Sequence, residues 1–316
     1  MFSPPSRPSR PSRPSRPSRL SRPGRPIAAL PRALALAAAT VAVAVSVSAV
    51  VAVPTAGAAT AQGATAVSTG QKLFYTAAAG QTNHLKIDWA LGPTDPDSQL
   101  ADYIYTFDDT VTITPGVGCV RPDARDTTKV VCTVTEPNTS ASDLDTLIVD
   151  LGDGDDTANV APDNSGYSRI HGGPGDDTLT GHGSDVLYGD DGDDHLSGGG
   201  GVYGDGALGG AGNDTLSACG YTCRGGSGDD LLIGGVSESN DEYTDYGNAL
   251  YGDDGDDIVY GNEGDDTIEG GRGNDRLFGG PGADTIHGNT GNDLLHGGPA
   301  KDKLSGGAGV NRVYQD

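Results

Sequence analysis

An aspartate, replaced by Asn311 in the last unit, recurs every nine residues in the C-terminal part of the chain, two residues before an aliphatic residue. From Gly252 the sequence reads as seven consecutive nonapeptides: GDDGDDIVY, GNEGDDTIE, GGRGNDRLF, GGPGADTIH, GNTGNDLLH, GGPAKDKLS and GGAGVNRVY. Carboxylate oxygens beside the carbonyls of a glycine-rich loop are hard ligands, which favour calcium over zinc or copper. The spacing therefore indicates a row of calcium sites.

Less regular copies precede these units: LGDGDDTAN at 151, GGPGDDTLT at 172, the shorter GHGSDVLY at 181, GDDGDDHLS at 189, GGAGNDTLS at 209 and GGSGDDLLI at 225. Over both sets, the same place in the unit holds the candidate metal ligands Asp156, Asp177, Asp185, Asp194, Asp214, Asp230, Asp257, Asp266, Asp275, Asp284, Asp293 and Asp302. Further acids stand at position five, namely Asp176, Asp193, Asp229, Asp256 and Asp265. We expect them to be solvated and to raise calcium affinity only through the local field, with direct ligation as the alternative.

A fixed short period is typical of a solenoid. Positions one to six of each unit are a glycine-rich turn for which we predict no strand character, and positions seven to nine form a very short strand with its central side chain turned inward. Two units make one turn of a parallel β-roll with two facing sheets, so the predicted fold is all-β. The predicted inward column is Leu179, Leu187, Leu196, Leu216, Leu232, Val259, Ile268, Leu277, Ile286, Leu295, Leu304 and Val313.

Stacked turns bring equivalent aspartates about 4.8 Å apart. Two such carboxylates repel each other by about 3.5 kcal/mol at an effective dielectric constant near 20. Because that repulsion recurs along the whole column, the fold needs a divalent cation between turns.

The unit GGxGxDxUx, with U aliphatic, resembles the repeats-in-toxin (hemolysin-type) calcium-binding nonapeptide over residues 145–316. The resemblance implies that the aspartates of units n and n+2 share an ion with loop carbonyls. The implied pairs are Asp257 with Asp275, Asp275 with Asp293, Asp266 with Asp284, and Asp284 with Asp302. Asn311 would weaken the next pair in the row, and Ala300 stands where a loop glycine is expected.

Charge restricts the possible partners. The first 61 residues contain no acid and eight of the 20 basic residues, which leaves 12 basic and 44 acidic residues beyond them, a net charge of −32. Nucleic acid and anionic membranes would be repelled, whereas cations would be attracted. We therefore expect calcium ions as partners, no nucleic acid, and no membrane insertion of the mature chain.

Residues 1–61 resemble an export signal. A Pro/Ser/Arg-rich run is followed by an apolar run over 27–53 and by the small residues Ala59-Thr60-Ala61. We predict cleavage after Ala61, with Ala58 as the alternative, and an extracellular mature protein. A membrane anchor over 33–53 is the competing interpretation.

Residues 62–142 lack the repeat and contain short alternating β-branched and aromatic runs, which predict a small β-rich cap domain ahead of a β-roll over 143–316. The four cysteines favour the disulfides Cys119–Cys132 and Cys219–Cys223 between sequence neighbours, with zinc binding as the alternative.

Neither HExxH nor GxSxG occurs in the chain. The leading hypothesis is a secreted, non-enzymatic calcium-binding protein with a structural or interaction role. The alternatives are a secreted hydrolase with the roll as an accessory module, and a cell-surface adhesin whose partner is a component of the cell surface or extracellular matrix.

Overall fold

The computed structural model describes residues 63–94, 101–135, 145–162, 167–199, 206–235 and 246–315. All of them belong to one compact unit, Ala56–Asp316. The predicted export signal, its cleavage site and the competing membrane anchor lie outside the described residues. Within that described part the structure contains no helix, and thus none long and apolar enough to cross a membrane.

The described residues form 25 strands, numbered in chain order. They are β1 Ala64–Ser68, β2 Leu73–Thr76, β3 His84–Thr94, β4 Ala101–Asp108, β5 Ile113–Pro115, β6 Cys119–Val120, β7 Lys129–Thr135, β8 Asp145–Asp150, β9 Thr157–Val160, β10 Tyr167–Pro174, β11 Thr178–Thr180, β12 Asp185–Asp191, β13 His195–Ser197, β14 Ala207–Ala211, β15 Thr215–Cys219, β16 Thr222–Ser227, β17 Leu231–Gly234, β18 Tyr246–Asp254, β19 Ile258–Tyr260, β20 Asp265–Arg272, β21 Arg276–Phe278, β22 Thr285–Thr290, β23 Leu294–His296, β24 Lys303–Ser305 and β25 Arg312–Tyr314.

These strands form two sheets. Sheet A has the order β24-β22-β20-β18-β16-β14-β12-β10-β8-β2-β1-β5, and sheet B has the order β25-β23-β21-β19-β17-β15-β13-β11-β9-β3-β4-β7-β6. From β8 onward, successive strands alternate between the sheets, and from β10 onward each pairs in parallel with the strand two places earlier. The predicted all-β fold, a parallel β-roll preceded by a β-rich region, is confirmed.

The two half-turns of the roll differ. In sheet B the strands of the regular units cover positions seven to nine only, as in β21 and β23. In sheet A they continue into the first three positions of the next unit, as in β20 and β22. The prediction that positions one to six lack strand character is therefore wrong for sheet A. Pairing continues there because Asp253, Gly271 and Asn289 stack in register and all have positive φ, of 76°, 121° and 68°, so these turns bend in the same sense.

The inward positions form one column in each sheet. In sheet A, Leu250 pairs with Ile268 and Ile268 with Ile286, while in sheet B, Val259 pairs with Leu277 and Leu277 with Leu295. These six side chains are fully buried. The columns join a single hydrophobic cluster that continues into the N-terminal strands.

The last turn departs from the predicted core. Leu304 is partly buried, and Val313 is 46% exposed. Placing Val313 in the core is wrong because β25 pairs with β23 on one side only, so no further layer covers its side chain. Leu250, Ala207 and Cys223 occupy the sheet A column but were not predicted, since they lie in irregular copies of the unit.

Aromatic rings at position nine show how closely the turns stack. The rings of Tyr260 and Phe278 are nearly parallel, with centroids 4.9 Å apart. The column continues with centroid distances of 6.3 Å from Phe278 to His296 and 6.0 Å from His296 to Tyr314. The first of these distances matches the strand spacing expected from the sequence.

The N-terminal strands continue both sheets of the roll. Strand β2 pairs in parallel with β8, and β3 pairs in parallel with β9. The other N-terminal strands extend these edges, partly through antiparallel pairs. This arrangement covers the first apolar layer, as an end cap must. The connecting residues 136–144 lie outside the described part, so the boundary between cap and roll stays a prediction.

Both predicted disulfides are present, Cys119–Cys132 between β6 and β7 and Cys219–Cys223 between β15 and β16. No cysteine in the described part of the chain is free, so the alternative of a zinc site is wrong. Cys219 and Cys223 are completely buried, and Cys223 lies between Ala207 and Leu250 in the sheet A core column.

Candidate calcium sites

The roll places the sixth-position residues in two columns, one along each edge. The long column precedes the sheet B strands and consists of Asp156, Asp177, Asp194, Asp214, Asp230, Asp257, Asp275, Asp293 and Asn311. The short column lies on the opposite edge and contains Asp266, Asp284 and Asp302. Neighbours within a column are one full turn apart.

One oxygen of each carboxylate links two turns. The Oδ1 atom of Asp275 accepts a hydrogen bond of 3.1 Å from the backbone N–H of Asp257, and Asp293 does the same for Asp275. In the short column, Asp284 Oδ1 accepts from the Asp266 N–H at 2.9 Å. The predicted pairs eighteen residues apart are thus neighbours in the structure.

Irregular copies join the same ladder despite their different lengths. The step between neighbours is 16 residues from Asp214 to Asp230 and 27 residues from Asp230 to Asp257. Because the ladder contact is preserved, the extra residues are accommodated outside it.

The other carboxylate oxygen is buried and lacks a hydrogen bond. Within the described residues this holds for Oδ2 of Asp156, Asp177, Asp194, Asp214, Asp230, Asp257, Asp275, Asp284 and Asp293. Leaving a buried acceptor unpaired costs about 1–3 kcal/mol, and more when it is charged. A repeated cost of this kind indicates that the row of oxygens receives a partner.

The surroundings of these oxygens explain the glycine at position one. A Cβ atom on Gly252 would overlap both Asp257 Oδ2 and the carbonyl oxygen of Gly270, the first residue of the unit one turn later. On the opposite edge, a Cβ on Gly279 would overlap Asp284 Oδ2 and the carbonyl oxygen of Gly297. Two acceptors therefore converge at each of these two sites, where a side chain at position one would overlap them; in the first unit Leu151 stands at position one instead.

Burial raises the pKa of these carboxyl groups. The pKa of Asp177, Asp230 and Asp275 is raised to about 7, and the pKa of Asp194, Asp214, Asp257 and Asp284 is raised to about 6. Desolvation is the largest cause in each case, and neighbouring carboxylates raise most of these pKa values further. Near neutral pH a cation is required to hold the whole column fully ionised.

Backbone oxygens must supply much of any ion's coordination. Over the described residues, no group of three or more His, Cys, Asp or Glu side chains converges as a metal site. Instead, at six of these nine positions one carboxylate oxygen lies beside a glycine carbonyl, namely at Asp177, Asp194, Asp214, Asp257, Asp284 and Asp293. This all-oxygen donor set fits a hard cation such as calcium.

Two predicted ligands have different surroundings. Asp185 belongs to neither ladder, because its Oδ2 accepts from the N–H of His182 in its own loop and its buried Oδ1 has no hydrogen bond. Asp302 ends the short column, where its Oδ2 accepts from Gln315 Nε2 at 2.7 Å. Ala300 in the same unit has φ 137°, a region that favours glycine, so the alanine strains this last loop.

The position-five acids form a second, outer ladder. They are exposed, as expected, but the N–H of Asp193 also donates to Asp176 Oδ1 at 3.0 Å, and the N–H of Asp256 donates to Asp229 Oδ1 at 2.8 Å. Asn274 continues this ladder from Asp256. The prediction that these acids act only through their charge is therefore incomplete, since they also connect turns.

Sequence reasoning missed the residues with which both inner columns begin, Asn83 and Asn248. Their backbone N–H groups donate to Oδ1 of Asp156 and Asp266, so each stands at the sixth position of the turn before. The sequence contains a signal for them, because each asparagine lies two residues before an inward leucine, Leu85 or Leu250.

Comparison with known proteins agrees with this geometry. The family model of the RTX calcium-binding nonapeptide repeat matches residues 152–183, 181–202, 207–218, 224–237, 243–277 and 278–313. No curated protein and no solved structure matches the chain. The matched segments contain the long column from Asp156 onward and the whole short column. Residues 152–313 therefore carry RTX calcium-binding nonapeptide repeats, as in an RTX repeat protein.

Proposed function

We propose that this is a secreted structural protein whose β-roll folds when several calcium ions bind between its stacked turns. The ligands we propose are the sixth-position aspartates from Asp156 to Asp293, and Asp302 is left out because its Oδ2 accepts a hydrogen bond from Gln315. The observation that carries the proposal is the row of buried carboxylate oxygens that face carbonyl oxygens with no donor between them.

The chain's own residues define each proposed site. Asp257 directs Oδ2 toward the carbonyl of Gly270, while its Oδ1 accepts the N–H of Asp230 and keeps the carboxylate plane fixed. Bound calcium would supply two positive charges against these oxygens. Because residues beyond position 61 carry a net charge of −32, each ion also reduces repulsion between turns.

A secreted protein would meet the calcium concentration that such sites require. Extracellular calcium modules bind at about 10⁻⁴–10⁻³ M. Two buried or partly buried disulfides and the leader-like residues 1–61 support export into an oxidising compartment. We expect the roll to remain largely unfolded inside the cell and to fold outside it.

Circular dichroism of the protein during a calcium titration tests this proposal. We expect a cooperative gain of β-structure that chelator reverses, and a much weaker response to magnesium, which holds its waters more firmly. A far-UV spectrum that chelator leaves unchanged would refute calcium-dependent folding.

We propose a structural rather than a catalytic role, supported by the absence of HExxH and GxSxG motifs. A broad hydrolase screen of the calcium-loaded protein tests this point, and any turnover that depends on the folded roll would count against it. Retention on cell walls in calcium, with release by chelator, would instead favour the adhesin alternative.

A further inference from the structure

The two inner columns both begin with a buried asparagine in place of an aspartate. Asn83 is fully buried one turn before Asp156, and Asn248 is 5% exposed one turn before Asp266. In both cases the backbone N–H donates to the aspartate Oδ1 at 2.6 Å, so the ladder contact is the same as between two aspartates.

The side-chain amides make a contact that the aspartates cannot make. Asn248 Nδ2 donates to the carbonyl oxygens of Gly261 and Gly235, both at 3.2 Å. Asn83 Nδ2 donates to the carbonyl of Leu151 and to Asp156 Oδ1, both at 3.1 Å. Gly261 and Leu151 are the first residues of the units that follow one turn later.

The amide nitrogen takes the place of the unpaired carboxylate oxygen. A Cβ on Gly234 would lie against both Asn248 Nδ2 and the carbonyl oxygen of Gly261, just as one on Gly252 would lie against Asp257 Oδ2 and the carbonyl of Gly270. Where the aspartate presents an acceptor to a carbonyl acceptor, the asparagine presents a donor. The carbonyl is therefore satisfied without an ion.

We propose that Asn83 and Asn248 are calcium-independent links that replace the first ion of each column. This inference rests on the proposed calcium sites at the aspartates. The first turn of the long column is thereby joined to the N-terminal strands by hydrogen bonds from the neutral Asn83, and ions are needed only between later turns. The N-terminal strands and the first turn of the roll can then fold without calcium. The later turns pair with this preformed sheet edge when calcium binds.

Amides also close the far ends of the columns. Gln315 Nε2 donates to Asp302 Oδ2 at 2.7 Å, so the last carboxylate of the short column has a donor where the others do not. In the long column, Asn311 Oδ1 accepts from the Asp293 N–H at 2.8 Å, and its own Nδ2 donates to the Gly307 carbonyl at 3.3 Å. An amide side chain thus stands at both ends of each column, although that of Asn311 donates to a carbonyl of its own unit and not to a stacked turn.

Reciprocal substitutions in the short column test the inference. Asn248→Asp replaces the donor with an acceptor and is expected to bind one more calcium ion than the parent protein, with a higher calcium midpoint for folding. Asp284→Asn makes the opposite change and is expected to bind one ion fewer. Its calcium midpoint should be lower than that of the control Asp284→Ala, which removes the ion without supplying an amide.

Bound calcium is counted by native mass spectrometry at saturation, and folding midpoints come from circular dichroism. If Asn248→Asp folds with the same number of ions and the same midpoint as the parent protein, the inference is wrong. If Asn248→Asp fails to fold, the comparison of Asp284→Asn with Asp284→Ala tests the inference instead. Equal calcium midpoints for folding in these two variants would also show that the inference is wrong. A parent protein that binds no calcium would instead refute the proposed function.

Discussion

Replacing Asp275 with alanine separates the two tasks of a column aspartate. Its Oδ1 accepts the buried N–H of Asp257, and its Oδ2 is one of the buried oxygens proposed to bind calcium. Loss of the acceptor leaves a buried N–H unpaired, which costs about 1–3 kcal/mol. Loss of one bound calcium ion lowers the free energy of unfolding by about 2.7 kcal/mol when calcium is present at about 100 times its dissociation constant. We expect Asp275→Ala to lower the free energy of unfolding in calcium by about 4–6 kcal/mol.

Asp302→Ala is the matched control. Asp302 Oδ1 accepts from the Asp284 N–H at 3.0 Å, but its Oδ2 already accepts from Gln315. This substitution should cost only the hydrogen-bond part, about 1–3 kcal/mol, and should leave the number of bound ions unchanged.

Denaturant unfolding at saturating calcium, followed by circular dichroism, measures both costs, and native mass spectrometry counts the ions. The reasoning predicts a larger loss of stability for Asp275→Ala together with the loss of an ion. Equal destabilisation by the two substitutions, with equal ion counts, would show that Oδ2 of Asp275 does not hold calcium.

Three further predictions follow from burial and charge. The folded-state pKa of Asp177 and Asp275 is raised to about 7 from 3.8, so the calcium-free roll should lose stability as the pH rises from about 4 to 7. Circular dichroism in chelator should therefore show more β-structure near pH 4 than near pH 7. Because protons compete with calcium for these carboxylates, folding near pH 4 should need a higher calcium concentration. Leu277→Ala should destabilise the calcium-loaded roll by about 2–5 kcal/mol because Leu277 is fully buried. Val313→Ala should change the stability by less than about 0.5 kcal/mol because Val313 is half exposed. The denaturant midpoints of the two variants test this difference. Replacing both Cys219 and Cys223 with alanine opens a short disulfide-closed loop and should lower the free energy of unfolding by about 2 kcal/mol. The calcium midpoint for folding should rise as a result. An unchanged midpoint would show that this half-turn is stable without its disulfide.

The regular repeat made much of the architecture predictable. When each unit has nine residues, the inward side chain, the turn glycine and the aspartate of one unit determine those of the next, and parallel stacking follows. The buried Leu277 and Leu295 and the contact between Asp275 and Asp293 were predictable in this way. No long-range information is needed, because each turn contacts only its neighbours.

Other features depend on contacts that the period does not specify. The extended strands of sheet A arise from stacked residues with positive φ, and one of them is Asp253, not a glycine. Asp185 lies in a copy of the unit that is one residue short, and it bonds to His182 in its own loop and to the Ser168 side chain of the preceding turn instead of to a column aspartate. The N-terminal strands pair partly antiparallel, and their register follows from side-chain packing in a region without repeats.

The choice between aspartate and asparagine at position six is readable from the sequence once the structure shows what it does. Asn83, Asn248 and Asn311 all precede an aliphatic residue by two places, as the column aspartates do. The backbone ladder treats both residue types alike, since either can accept through Oδ1, and Asn311 does so. The second side-chain atom makes the difference, because a donor completes a hydrogen bond to the stacked carbonyl while an acceptor requires a cation there. In this roll we therefore expect N-x-U at Asn83 and Asn248 to mark turns that are held together without calcium, and D-x-U to mark turns that need it, except at Asp302, where Gln315 supplies the donor.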